Sequence, residues 1–214
     1  MTRVMVVDDH EVVRFGICHL LNQLERVSVV GEAVSGEEAL TKAREIQPDV
    51  IFMDVRMPGI GGLEATQRLR LCQPEIRIIV LSALSDDTMP SRLLKAGASG
   101  YLTKNAGPSE VQEALDAALR GDIYISPEIA QHMLVRSFSD GRSPVSELSE
   151  RELQIAVMLA SGLRVADIAI TLSISPKTIA THKYRVFEKL GVTNDVQLAL
   201  RAVKWGLVDL DEMV

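Results

Sequence analysis

Four apolar residues, Val50 to Met53, run straight into a carboxylate, Asp54, and then into Arg56-Met57-Pro58-Gly59. A short continuous apolar run closed by turn signals is the pattern of a strand buried on both faces. Such strands belong to parallel sheets covered by helices, and those sheets gather their ligands at the strands' carboxyl ends. The pattern recurs along the chain. Val4–Val7 ends in Asp8-Asp9, Val27–Val34 in Ser35, Ile76–Leu81 in Ser82-Ala83, and Ser99–Leu102 in Thr103-Lys104. Between the runs lie helical segments. Val12, Val13, Ile17, Leu20, Leu21 and Leu24 make one stripe, and helices are expected over about 36–47, 63–72, 87–96 and 108–120. Ser35 is placed to cap the second helix, Pro48 and Pro74 to stop the second and third, Pro108 to open the last and Gly121 to close it. Five strand–helix repeats predict an α/β fold over residues 1–122, a five-stranded parallel sheet with helices on both faces.

The rhythm breaks after Asp122. Ile129 to Val135 suits a short helix, and Ser137 to Val145 has the composition of a linker, so 123–146 is expected to connect two domains. From Ser149 the periodicity is purely helical. Ser149-Glu150-Arg151-Glu152 is a capping box. The first helix ends at Gly162, a second spans about 165–172, a third opens on Ser175-Pro176 and stops at Gly191, and a fourth covers about 194–205. Two short helices joined by a tight turn, the second one basic, predict an all-α, four-helix, helix-turn-helix domain over 147–208, with an acidic tail over 209–214.

Charge separates the halves. Residues 1–122 hold 13 Lys+Arg against 18 Asp+Glu, whereas 147–208 hold 8 against 6. An acidic front and a mildly basic back imply different partners. With 214 residues there is room for two modest domains. No apolar run is long enough to span a bilayer, and the first residues do not read as a signal peptide. Two cysteines without paired spacing, Cys18 and Cys72, read as free thiols. A cytoplasmic protein with no membrane partner is expected.

In a doubly wound sheet Asp8, Asp9, Asp54, Ser82 and Lys104 share one edge. A lone strand-end aspartate is ordinarily a solvated or capping acid. Convergence of all five argues for a site. Three close carboxylates repel unless a cation sits among them, and oxygen ligands with retained water suit Mg²⁺. A carboxylate beside a metal and a lysine can attack a phosphoryl group, with Ser82 donating to a phosphoryl oxygen.

Residues 1–122 resemble the receiver domain of two-component response regulators. The resemblance rests on Asp8-Asp9, Asp54 with Met57-Pro58, Ser82-Ala83 and Gly100-Tyr101-Leu102-Thr103-Lys104. It implies a flavodoxin-like, doubly wound sheet with Asp54 as phosphoacceptor. It further implies Mg²⁺ held by Asp9, Asp54 and the Arg56 carbonyl, with Asp8 acting mainly through water. Lys104 would contact the phosphoryl group, and Ser82 and Tyr101 would form a switch pair. The phosphoryl donor would be a sensor histidine kinase or a phosphotransfer domain. Asn105 stands where many receivers carry proline. Arg56 and Leu84, two residues beyond Asp54 and Ser82, are not groups that orient an attacking water, so slow self-dephosphorylation is expected.

Residues 147–208 resemble the DNA-binding domain of the LuxR/NarL/FixJ class. The motifs are Leu148-Ser149-Glu150-Arg151-Glu152, Ala160-Ser161-Gly162, Ile168-Ala169, Ser175 through His182, and Lys189-Leu190-Gly191-Val192. The resemblance implies a recognition helix over 176–190. Its base contacts would come from Ala180, Thr181 and Tyr184, and its phosphate contacts from Lys177, Thr178, Lys183 and Arg185; His182 is a further candidate. Lysine is frequent in the class where this chain has Ala180. Asp54 through Thr66, Ser149 through Ile155 and Ser175 through Ile179 look like the GacA/UvrY branch. That branch implies phosphorylation by a hybrid sensor kinase, homodimers on palindromic double-stranded DNA, and activation of small regulatory RNAs. Two rivals stand beside this non-enzymatic reading. A metal-dependent phosphohydrolase with an Asp nucleophile usually carries a second acid two residues on, where this chain has Arg56. A signalling adaptor would use the helical domain to bind protein or RNA.

Overall fold

Alternating strand and helix run through the first half of the computed structural model, which describes residues 1–82, 89–138 and 144–208, and side chains for all of these except 135–138. Ala83, Leu84, the middle of the expected linker and the expected acidic tail lie outside the described residues. The elements are β1 (Thr2–Val7), α1 (Glu11–Asn22), β2 (Val27–Ala33), α2 (Gly36–Ile46), β3 (Val50–Asp54), α3 (Gly61–Cys72), β4 (Arg77–Ser82), α4 (Met89–Lys95), β5 (Gly100–Thr103), α5 (Pro108–Arg120), β6 (Tyr124–Ile125) and α6 (Pro127–Phe138). All strand pairs are parallel, in the order β2-β1-β3-β4-β5-β6.

The central strands are buried on both faces, as their unbroken apolar runs require. Val4 to Val7, Val50 to Met53 and Ile78 to Val80 are fully enclosed. Val4, Val6, Val50, Phe52, Ile79, Leu81 and Leu102 pack against Cys18 and Leu21 of α1 and Val111, Ala114, Leu115 and Ala118 of α5. Each large side chain hidden this way contributes about 1.5–3 kcal/mol. Ser35 caps α2 by accepting from the Glu38 N–H at 3.2 Å. The peptide bond after Lys104 is trans, as Asn105 favours.

The expected five-stranded sheet has a sixth strand. Gly121, at φ 87°, closes α5 in the left-handed conformation and turns the chain back toward the sheet. Tyr124 N then donates to Ser99 O at 3.1 Å and Ser126 N to Tyr101 O at 3.0 Å. Two residues are too few to leave a periodic signal. The helix expected over 129–135 is longer at both ends, and the first unit of the chain runs on to Arg136.

Beyond α6, the described part of the second unit holds a 3₁₀ turn (Pro144–Glu147), then α7 (Glu150–Ala160), α8 (Val165–Thr171), α9 (Pro176–Leu190) and α10 (Asp195–Lys204). Its core takes Leu153, Ile155 and Ala156 of α7, Ile168 of α8, Ile179, Val186 and Leu190 of α9, and Leu198 and Ala202 of α10. The capping box at Ser149 and Glu152 is complete. Lys189 crosses from α9 to Glu152 at 2.6 Å and to the Glu147 carbonyl at 3.1 Å, fastening α9 to the start of α7.

Candidate functional site

Chain order reverses between β1 and β3, the point where open α/β sheets open a crevice beyond their strand ends. Asp8 and Asp9 follow β1, Asp54 ends β3, Ser82 ends β4 and Lys104 follows β5. The five residues picked out by the sequence therefore meet on one edge. Lys104 Nζ bridges two of the acids, at 2.9 Å from Asp8 Oδ2 and 2.8 Å from Asp54 Oδ2. Asp8 is fully buried and Asp54 is 1% exposed. The Lys104 N–H donates to the Ser82 carbonyl at 2.9 Å, so the lysine's backbone is tied to the end of β4.

Neighbours hold each acid in place. The His10 N–H donates to Asp8 Oδ1 at 2.8 Å, and the Arg14 guanidinium donates to the Asp8 carbonyl at 2.8 Å while pairing with Glu32 at 3.0 Å. The Arg56 N–H points at Asp54 Oδ1 from 3.4 Å. His10 Nδ1 lies 3.0 Å from Asp9 Oδ1. Donor atoms of Asp8, Asp9, His10 and Asp54 all fall within 4.8 Å of one another. α3 starts at Gly61, two residues before the expected position, and packs hard against the end of β3. A Cβ on Gly62 would stand 2.0 Å from the Asp54 carbonyl oxygen.

Electrostatics make the pocket receptive to positive charge. Burial pushes the Asp54 carboxyl up to about 7; Lys104 opposes the rise and Asp8 adds to it. Burial works against the charge on Lys104, but Asp54 and Asp8 outweigh it and hold its pKa above the ordinary value. Three carboxylates face one ammonium. The donor set and the leftover negative charge fit a hard divalent cation.

Ser82 pairs with Thr103 and Val80 with Tyr101, so Ser82 and Tyr101 share a face of the sheet, two register positions apart. Both are buried, and the Tyr101 ring points inward at 1% exposure.

On α9, Ser175 caps the first turn by accepting from the Thr178 N–H at 3.1 Å. Lys177, Thr178, Ala180, Thr181, Tyr184 and Arg185 are exposed on one side, opposite Ile179 and Val186. Tyr184 is 70% exposed, unusual for an aromatic ring. His182 and Lys183 are half-buried. Lys183 is engaged within the domain, 2.7 Å from Asp195 Oδ2 and over the Phe187 ring at 5.3 Å. That capture leaves no mark in the sequence, because Asp195 lies on another helix. His10, Arg14 and Gly62 are likewise functional neighbours of the pocket that the sequence pattern does not single out. The available signal for Arg14 is a charged residue inside an apolar helical stripe, and for Gly62 a glycine pair directly before the helix expected over 63–72.

Comparison with known proteins agrees with this geometry. Residues 4–116 match the family described as "Response regulator receiver domain", and residues 146–202 match "Bacterial regulatory proteins, luxR family". The chain is 50% identical to response regulator GacA of Pseudomonas aeruginosa over 98% of its own length and 99% of that protein. It is 41% identical to response regulator UvrY of Escherichia coli over 100% of its own length and 99% of that protein. Among solved structures it resembles RcsB of Salmonella enterica serovar Typhimurium bound to promoter rprA in the presence of the phosphomimetic BeF3-. There the TM-score is 0.72 and identity 29%, covering 94% of this chain and 98% of that one.

Proposed function

The chain belongs to the response regulators that join a receiver domain to a LuxR-type DNA-binding domain, and from that membership we propose that its DNA binding is switched by a phosphoryl group on Asp54. The observation that carries the reading is Lys104 Nζ bridging Asp54 and Asp8 in a buried pocket at the sheet's reversal point. Asp54 Oδ attacks the phosphorus of a phosphohistidine on a sensor kinase or phosphotransfer domain. The O–P bond forms as the N–P bond breaks, and the leaving imidazole takes up a proton. Asp9, Asp54 and the Arg56 carbonyl would hold Mg²⁺, with Asp8 reached through water. Bound there, the ion supplies positive charge against the phosphoryl oxygens.

This chain's own residues do the rest. Lys104 neutralises a phosphoryl oxygen, and the Ser82 hydroxyl donates to another. A phosphoryl group adds roughly −1.5 to −2 charge and draws Ser82 toward it. That favours the inward Tyr101 seen here and the partner surface that goes with it. The output is α9 in the major groove of double-stranded DNA. Ala180, Thr181 and Tyr184 face base edges. Lys177, Thr178 and Arg185 hold phosphates, and His182 sits behind them. Lys183 takes part only in competition with Asp195. Likeness to GacA and UvrY supports a homodimer on palindromic promoters, including those of small regulatory RNAs, under a hybrid sensor kinase.

The test compares wild type and Asp54→Ala for affinity to a palindromic duplex, with and without acetyl phosphate and Mg²⁺. Wild type alone gains affinity. An equal gain in both refutes Asp54 as the switch. The affinity of both should fall steeply with salt, as phosphate contacts require; a flat salt response favours the adaptor reading.

A further inference from the structure

We propose that His10 gives the acidic pocket a nitrogen ligand, so that the site takes a borderline first-row cation such as Ni²⁺, Fe²⁺ or Zn²⁺ as well as Mg²⁺. The inference rests on the reading of this pocket as a divalent-cation site. His10 is the N-cap residue of α1, yet its side chain makes no capping bond. Its backbone is fixed on both sides: the N–H donates to Asp8 Oδ1 at 2.8 Å, and the carbonyl accepts from the Arg14 N–H at 3.0 Å. That anchoring carries the imidazole to the pocket mouth. Nδ1 stands 3.0 Å from Asp9 Oδ1 and 3.5 Å from Asp8 Oδ1.

Two neighbouring ligands on an octahedral ion with bonds of about 2.1 Å are about 3 Å apart, and opposite ligands about 4.2 Å. At 3.0 Å the His10–Asp9 contact is an ion-pair distance that also matches the spacing of adjacent ligands on one ion. The whole donor set, within 4.8 Å, needs only small side-chain movement to close around it. The carboxylates alone suit Mg²⁺, which keeps oxygen ligands and water. An imidazole nitrogen adds little for Mg²⁺ and much for Fe, Ni and Zn. The His10 side chain is 56% exposed, so the ring sits at the pocket's solvent edge. A borderline cation held this way would compete with Mg²⁺ for the carboxylates around Asp54.

Calorimetric titration of the full chain with Ni²⁺ and with Mg²⁺ tests the idea, on wild type, His10→Ala and His10→Gln. Both variants should fold, since the ring lies outside the core. The expected result is a drop of about tenfold or more in Ni²⁺ affinity in both variants, with Mg²⁺ affinity changed less than about twofold. In the proton spectrum of the Ni²⁺ form, wild type should show paramagnetically shifted imidazole ring C–H signals that both variants lack. An equal loss of Ni²⁺ and Mg²⁺ affinity would mean that His10 only orients Asp9, and it overturns the inference. So does an unchanged Ni²⁺-to-Mg²⁺ ratio, or absence of the shifted resonance; either leaves the cation reading intact. Failure of wild type to bind either ion removes both.

Discussion

At the scale of single residues, Asp54 is held in a place that suits its chemistry better than it suits the fold. Its folded pKa of about 7 lies above the ordinary 3.8, so the folded state binds the proton more tightly than the unfolded chain does. Stability contributed by the protonated form is present at low pH and lost as pH rises from 3.8 through 7. In EDTA at about pH 8, Asp54→Asn should therefore melt at least about 2 °C above wild type, with the gap closing toward pH 4. Circular dichroism melts check this, and a lower melting temperature for the variant at pH 8 refutes it. Arg56 brings a second expectation. No carboxylate or amide stands two residues beyond Asp54 to orient water. The acyl phosphate should last minutes or longer after the donor is removed, and decay within seconds would count against it. The acids, Ser82 and Lys104 were legible in the sequence because strand ends in a doubly wound sheet must converge. His10 was not, because a residue after two acids and before an apolar stripe reads only as the start of a helix.

Elements are seated by a few close approaches and cross-ties. Gly62 lets α3 begin against the end of β3. Gly62→Ala should cost about 1–3 kcal/mol or more, since the obstacle is the Asp54 backbone itself. Gly16, in α1, has nothing within 4 Å of a Cβ, and Gly16→Ala should instead gain about 0.5–1 kcal/mol. Urea denaturation of the pair separates helix propensity from packing. In the second unit, burial works to raise the Glu152 pKa, but the bonds from Lys189 and Ser149 outweigh it and hold the carboxyl below its ordinary 4.5. A depressed carboxylate stabilises above its unfolded pKa and loses that contribution as pH falls through the folded value. Lys189→Ala should thus weaken the protein by about 2 kcal/mol at neutral pH and by much less near pH 3. Melts over that range decide it; an equal loss at both ends would point to packing alone. Helix caps were readable because Ser35, Ser149 and Ser175 act on the next turn. The Lys189–Glu152 and Lys183–Asp195 ties were not, since they join residues 37 and 12 positions apart.

For the whole molecule, β6 matters more than its two residues suggest. Ser126 is buried, and it serves two neighbours at once. Its N–H bonds the Tyr101 carbonyl at 3.0 Å. Its own carbonyl accepts from the Ala130 N–H at 2.9 Å, the first bond of α6. The strand that carries Tyr101 is therefore joined to the helix leading out of the first unit through main chain alone. Under acetyl phosphate and Mg²⁺, the Ser126 amide should change its hydrogen-exchange rate together with amides of β5; an amide indifferent to phosphorylation would break that link. Twelve residues of α6 extend about 18 Å from this point. Ser126 is thus the point at which any shift of β5 would pass into α6. Over a helix of that length, a turn of about ten degrees at Ser126 would carry the far end through about 3 Å, on the scale of one hydrogen bond's length.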